Sequence, residues 1–250
     1  MTPSAPLIND VFNKGLDKQI SGFSLPQMLV IAFSYTTPTL SASTSGFKLL
    51  SVLARDWTYS GVLRYQSGQI LQSPFSSNNL LFNMGRGNAN NNPAVWGGGN
   101  TFLDRVPGQP LFTVDPNSKF DPTKALVLNP NAWVEPPFGT FGASAPYFND
   151  FRWQRQPAES MSFGRNFRFG RDGRYDFFIR AEFTNIFNRL MLSPPATGNQ
   201  GAGFGGPVTI ATPASSTQGV LTGGLGYIPT YLGQTAVPPR AGQIVGRFVF

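Results

Sequence analysis

The sequence predicts an all-β fold: an antiparallel meander of about five strands, forming a partial transmembrane β-barrel with long extracellular loops. Three observations predict it. Apolar residues recur at every second position in five segments, each near the roughly 9–11 residues that cross a bilayer as a tilted strand. The connections between these segments alternate between short and very long. The final segment runs to the last residue, with aromatics at alternate positions. No run of about 20 apolar residues offers a spanning helix instead.

The first strand is expected near 27–36. Leu29, Ile31, Phe33 and Tyr35 share one face, Val30, Ala32, Ser34 and Thr36 the other, and Pro38 stops the run. The second, near 57–67, sets Trp57, Tyr59, Gly61, Leu63 and Tyr65 against Thr58, Ser60, Val62, Arg64 and Gln66. Phe47–Leu53, in the joint before it, is expected to make a short helical turn. The third, near 160–169, places Met161, Phe163, Phe167 and Phe169 opposite Ser160, Ser162, Gly164, Asn166 and Arg168. The fourth, near 174–187, places Tyr175, Phe177, Ile179, Ala181, Phe183 and Phe187 opposite Asp176, Arg180, Glu182 and Thr184. Arg171-Asp172-Gly173 between them reads as a three-residue loop, with Gly173 in the left-handed position. Apolar faces match only across an odd loop. Phe169 should therefore oppose Tyr175, Phe167 should oppose Phe177, and Arg168 should oppose Asp176. The fifth, near 241–250, sets Ile244, Gly246, Phe248 and Phe250 against Gln243, Val245, Arg247 and Val249.

The long loops, 71–157 and 188–239, are rich in Asn, Gly and Pro, and residues 1–24 read as the tail of another. Loops of that length count against a compact soluble domain. Short turns on one side and long loops on the other are the pattern of outer-membrane barrels.

Composition removes most chemistry. Of 250 residues only 12% are charged, Phe contributes 23, and there is no Cys and no His. Disulfides, thiolate metal sites and imidazole catalysis are thereby excluded. The net charge is +7, and seven Arg lie between Arg152 and Arg180. They alternate with Asp150, Glu159, Asp172, Asp176 and Glu182, which marks a solvated sheet face and not a phosphate track, so nucleic acid is not expected as a partner. Gly201–Gly206 matches a dinucleotide glycine pattern, but no buried strand precedes it and no helix follows. Asp115–Lys119 begins like a calcium loop, yet Phe120 and Leu126 stand where Gly and Glu are required. Asp176 and Glu182, roughly 20 Å apart along a strand, do not converge as an acid–base pair. No catalytic, cofactor-binding or metal-binding residue is expected, and the chain is not expected to be an enzyme. Its start, MTPSAPLIND, lacks the basic and apolar regions of a signal peptide.

Arg64, Arg168, Asp176, Arg180 and Glu182 are expected to line a polar lumen. Arg165 shares the apolar parity, and should lie near a headgroup region and snorkel, or else the lipid-face assignment of this strand is wrong. Tyr35, Trp57, Tyr65, Phe169, Tyr175, Phe187 and Phe250 suit interfacial girdles. A soluble or cell-surface β-sandwich binding module, of carbohydrate or adhesin type, would give the same alternation. The C-terminus separates the two: Gly246, Phe248 and Phe250 resemble the terminal assembly signal of bacterial outer-membrane barrels, with Gly one place later than in the commonest pattern.

Four stretches resemble TonB-dependent outer-membrane receptors of the Oar-like type. They are Trp57–Gly68, Phe163–Phe169, Ile179–Asn188 and Pro239–Phe248. The resemblance runs from about residue 20 to the end. It implies a 22-stranded barrel with an N-terminal plug, working in the bacterial outer membrane in energy-coupled uptake of a large or scarce solute. Residues 1–250 are then expected to be the C-terminal segment of such a barrel. Its implied partners are outer-membrane lipid, the barrel-assembly machinery, the remaining N-terminal barrel and plug, and an inner-membrane energy-coupling complex reached through that plug.

Overall fold

The computed structural model describes residues 9–10, 13–16, 18–38, 54–76, 101–124, 126–138, 140–170, 174–197, 215–217, 219–228 and 239–250. Their strands, in chain order, are β1 (Met28–Thr36), β2 (Trp57–Gln66), β3 (Ile70–Gln72), β4 (Asp104–Arg105), β5 (Trp133–Val134), β6 (Tyr147–Arg152), β7 (Gln156–Phe169), β8 (Tyr175–Thr184), β9 (Ser215–Thr217), β10 (Val220–Gly223) and β11 (Ala241–Val249). The chain divides into two compact units.

One unit comprises Gln27–Gln66, Gln156–Leu190 and Val237–Phe250. Its five strands form a single antiparallel sheet in the order β1-β2-β7-β8-β11. The register joins odd residues of the first four strands to even residues of β11, so one face is continuous. Leu29, Tyr65 and Pro157 lie in one row across it, and Phe167, Phe177 and Phe248 in another. The β7–β8 pairing opposes Phe169 to Tyr175, Phe167 to Phe177 and Arg168 to Asp176, as the odd-loop parity requires. Arg171–Gly173 themselves, and the expected helical turn at Phe47–Leu53, lie outside the described residues.

Rings fill the gaps that glycines leave on this sheet. A Cβ on Gly61 would lie 2.9 Å from the Phe33 ring, and one on Gly242 would lie 2.7 Å from the Phe183 ring. A side chain at either position would push the ring off the sheet. The aromatic contacts of Phe163, Phe177 and Phe248 in this unit are all with rings of the same face: Tyr59 and Phe183, Phe167, and Phe169, Tyr175 and Phe250. Phe169, Ile244, Phe248 and Phe250 are exposed. Among the described residues this unit contains no second sheet, which is the element a sandwich needs.

Two strand limits differ from expectation. β7 begins at Gln156, not near 160, because Pro157 and Glu159 occupy apolar-parity positions and hide the period. β8 ends at Thr184, short of Phe187, because Asn185 takes a left-handed conformation with φ 48°.

The other unit comprises Met1–Pro26, Ser67–Arg155 and Met191–Ala236. Within the spans read as the long loops 71–157 and 188–239 it holds short paired strands. β3 pairs with β6, β4 with β5, and β9 with β10. Leu71, Leu103, Val127, Leu128, Trp133, Phe151, Trp153, Leu192 and Ile228 build a buried core. These apolar residues are scattered among Asn, Gly and Pro without a period, so no strand or helix pattern reveals them. Trp153 donates its indole N–H to the Leu192 carbonyl at 2.9 Å, and Leu221 donates to the Thr123 carbonyl at 2.8 Å. Arg152 donates to the carbonyls of Ser24 at 2.7 Å and Gly68 at 3.3 Å, and its burial draws its pKa down. The three chain segments are thus stitched by bonds between residues far apart in sequence.

A buried polar knot does the same. Asn9, 1% exposed, donates to the carbonyls of Gly142 at 2.7 Å and Ser144 at 2.9 Å, and accepts from the Thr101 hydroxyl at 2.7 Å. Asn9→Ala should cost about 1–3 kcal/mol, because it leaves buried partners unpaired. The check is amide hydrogen exchange: the Gly142 N–H, bound to Thr101 Oγ1 at 2.6 Å, should lose protection.

Candidate functional site

The polar face of the five-stranded sheet carries the candidate site. One row crosses every strand: Ser34, Ser60, Ser162, Glu182 and Gln243. The Ser60 and Ser162 hydroxyls are 2.7 Å apart, and Gln243 donates its amide to Glu182. The neighbouring row sets Thr36 against Thr58, with hydroxyls 3.1 Å apart, and Gly164 against Arg180. A cleft of about 840 Å³ opens on this side and is lined chiefly by Ala32, Ser34, Ser60, Val62, Ser160, Ser162, Glu182, Thr184 and Gln243. Alternation alone accounts for this surface: every second residue of each strand must point here.

All five residues expected on a lumen share this face in the register. Glu182 forms an ion pair with Arg180. Asp176 accepts from the Asn166 amide at 3.0 Å and lies 3.9 Å from Arg168. Arg64 is exposed, between Val30 and Ala158. The face therefore gathers four of the five into two adjoining pairs, with Arg64 apart. On the opposite face Gly246 lies against Ile179, and Phe248 stacks on Tyr175 at 6.1 Å and on Phe250 at 6.1 Å.

Arg165 differs from expectation. It is 8% exposed and does not snorkel. Its guanidinium lies 5.6 Å from the Trp57 ring centroid and 4.8 Å from that of Phe167. Aromatic faces attract a desolvated cation, by about 2 kcal/mol in favourable cases. Of the two rings, Phe167 is two residues away on the same strand, but Trp57 comes from β2, which nothing adjacent in sequence announces.

Sequence reasoning missed an ion pair made by an acid at an apolar-parity position. The Glu159 side chain is 1% exposed, and both its oxygens accept from Arg189 Nε, at 3.1 and 3.0 Å. The available signal was Glu159 itself, an acid at an apolar-parity position opposite Leu63.

In the other unit, the Thr123 hydroxyl and amide hold the Asp121 carboxyl below its ordinary pKa. Asp115 accepts from the Asn117 amide in a local turn. Among the described residues, no three His, Cys, Asp or Glu side chains come together. Also among the described residues, no helix is long and apolar enough to cross a membrane, which says nothing of crossing by strands.

No curated protein and no solved structure matches the chain. Residues 2–219 match the family described as outer membrane beta barrel domain. That span covers β1 through β9, hence four of the five strands of the sheet. An antiparallel sheet with one aromatic and one polar face is what such a family requires. The chain accordingly belongs to the outer membrane beta barrel domain family, and its place is the bacterial outer membrane.

Proposed function

We propose that this chain is part of the wall of a TonB-dependent outer-membrane receptor or transporter, contributing its last barrel strands and outer loops to energy-coupled uptake of a large or scarce solute. The observation that carries the proposal is the split character of the five-stranded sheet. Rings dominate one face, with Phe248 among them, and hydroxyls and charges dominate the other. The motifs shared with Oar-like receptors supply the finer class. On this reading the ring face meets outer-membrane lipid, and the polar face lines the solute path. The chain performs no catalysis and binds no nucleic acid.

Strand polarity supports further barrel strands as partners. Among the described residues, β1 and β11 each pair on one side only. Five alternating strands leave β1 and β11 running the same way, so they cannot close on each other antiparallel. Bacterial single-chain barrels have an even number of strands, at least about 8, and lipid-exposed backbone groups must be paired. We infer that the remaining N-terminal barrel supplies the pairing strands, and that its plug reaches the inner-membrane energy-coupling complex.

Phe248 and Phe250 would engage the assembly machinery with Gly246. Deleting Phe250, or replacing Phe248 by Ala, should lower the amount of heat-modifiable protein in outer-membrane fractions several-fold at unchanged synthesis. Unchanged outer-membrane levels in both variants would count against the role of this end. The transport reading is tested by energised uptake in cells carrying the full-length gene with and without a functional coupling complex. Uptake independent of that complex would overturn it.

A further inference from the structure

We propose that the cleft at Lys18 and Asp104 binds a small zwitterion of the α-amino-acid class. The inference goes beyond the barrel reading. Every residue it uses belongs to the unit built on Trp133 and Phe151, so it stands or falls apart from transport by the sheet. The cleft holds about 330 Å³ and is lined by Leu16, Lys18, Asp104, Arg105, Ser144 and Phe148, with small residues between them. That volume is at the low end of ligand pockets, which suits one amino acid and not an extended chain.

Segments far apart in sequence fix its walls. Leu16 and Lys18 sit on a turn in which Leu16 donates its amide to the Asn13 carbonyl at 3.0 Å and Lys18 donates to the Gly15 carbonyl at 3.4 Å. The strip around Ser144 is tied down twice. Asn9 donates to the Gly142 and Ser144 carbonyls, and the Ser73 hydroxyl donates to the Ala145 carbonyl at 2.7 Å. Ser144 Oγ accepts from the Arg105 N–H at 2.8 Å, which joins this strip to β4. The Arg105 guanidinium covers the Phe148 ring at 4.9 Å, so that ring is a side wall and not an open platform.

Charge then selects the ligand. Arg105 donates to both oxygens of Asp150, at 3.1 and 2.6 Å, and the two neutralise each other. Lys18 and Asp104 are left. Among the described residues neither has an ion-pair partner, and they do not pair with each other across the cleft. Lys18 is exposed. Asp104 accepts from the Ala143 N–H through one carboxylate oxygen; among the described residues the other has no hydrogen bond, and it is not covered. Both charges are therefore open to a ligand. A simple cation would meet Asp104 but be opposed by Lys18, and a phosphate or simple carboxylate would meet Lys18 but be opposed by Asp104. A zwitterion answers both: its carboxylate accepts from Lys18 Nζ, and its ammonium donates to Asp104. Leu16 and Ala145 supply apolar lining for a short side chain.

The test uses the full-length protein purified from outer membranes in detergent. L-Alanine, L-leucine and L-methionine are titrated by calorimetry, together with the amide and the deaminated acid of each. At least one amino acid is expected to bind saturably, with its amide and its deaminated acid each about tenfold weaker, one hydrogen bond to a charged group being worth roughly that factor. Lys18→Gln and Asp104→Asn should each weaken the amino acid by a similar factor. An Asn at position 104 still accepts from Ala143, so the wall is retained. The losses should cross: Lys18→Gln no longer separates the amino acid from its amide, and Asp104→Asn no longer separates it from the deaminated acid. Lys124→Gln, outside the cleft, should leave binding unchanged. No saturable binding of any of the three amino acids overturns the inference. So does binding indifferent to both cleft variants. Binding weakened by only one of them, or a deaminated acid or inorganic phosphate held as tightly as the amino acid, would make this a single-charge site and also overturn it.

Discussion

Phe163→Arg should destabilise the membrane-embedded protein by about 2–4 kcal/mol, whereas Ser160→Arg should change stability by less than about 0.5 kcal/mol. The two positions lie three residues apart on β7 and differ in parity. Phe163 belongs to a row with Tyr35, Tyr59, Ala181 and Ile244, midway along the ring face. Its ring meets Tyr59 at 5.8 Å and Phe183 at 6.3 Å. An Arg there must leave its charge among hydrocarbon chains or distort the bilayer to reach water. Ser160 is exposed on the polar face, opposite Val62 and Thr184, where a long cation meets water and the carboxylate of Glu182. Denaturant titration in lipid vesicles, followed by tryptophan fluorescence, measures both. Equal costs would mean that the two faces are not in different solvents. The reverse order would invert the barrel, with rings inward.

Arg165, which already sits on the ring face, does not contradict this. It is held between Trp57 and Phe167, which replace water by two aromatic faces. Phe163 has no comparable pair of free rings above it, since its own ring is part of that packing.

What the sequence reveals and hides follows from range. Period two is local, so the five strands can be read from residues two apart. The β7–β8 register follows from the same parity, because a short odd loop leaves one way to match Phe167 with Phe177. The polar face is legible for the same reason: Arg168, Asp176, Arg180 and Glu182 are placed on it by parity alone. Contacts between distant segments are not legible. Trp57 covers Arg165 across more than a hundred residues of sequence, and Arg152 reaches Ser24 over a similar span. The unit built on Trp133, Phe151 and Trp153 is hidden for that reason too. Its strands are two to six residues long, too short to show a period, and its core is assembled from three stretches of chain.

Arg189→Ala should cost about 3–5 kcal/mol, because it leaves the buried Glu159 carboxylate without a counter-charge. Glu159 lies on the ring face, near the start of β7 where the long connection enters it, opposite Leu63. Arg189 reaches it only because the chain folds back after β8. Asn185 and Asn188 take left-handed φ of 48° and 51°, and Ile186 donates its amide to the Glu159 carbonyl at 3.1 Å. Asn185 then clamps Arg189 at both backbone ends, accepting from its N–H at 2.8 Å and donating to its carbonyl at 3.0 Å. The guanidinium also lies 5.7 Å from the Phe187 ring centroid. The asymmetry of exposure sets the size of the effect. Arg189 is half exposed and tolerates loss of its partner, while Glu159 is shielded from water and does not. Glu159→Gln should therefore cost less than Arg189→Ala, and the double variant Glu159→Gln/Arg189→Ala should be more stable than Arg189→Ala alone. Equilibrium unfolding of the four proteins closes the cycle. Additive costs would mean that the pair is decorative, and that the fold-back after β8 is held by Asn185 without it.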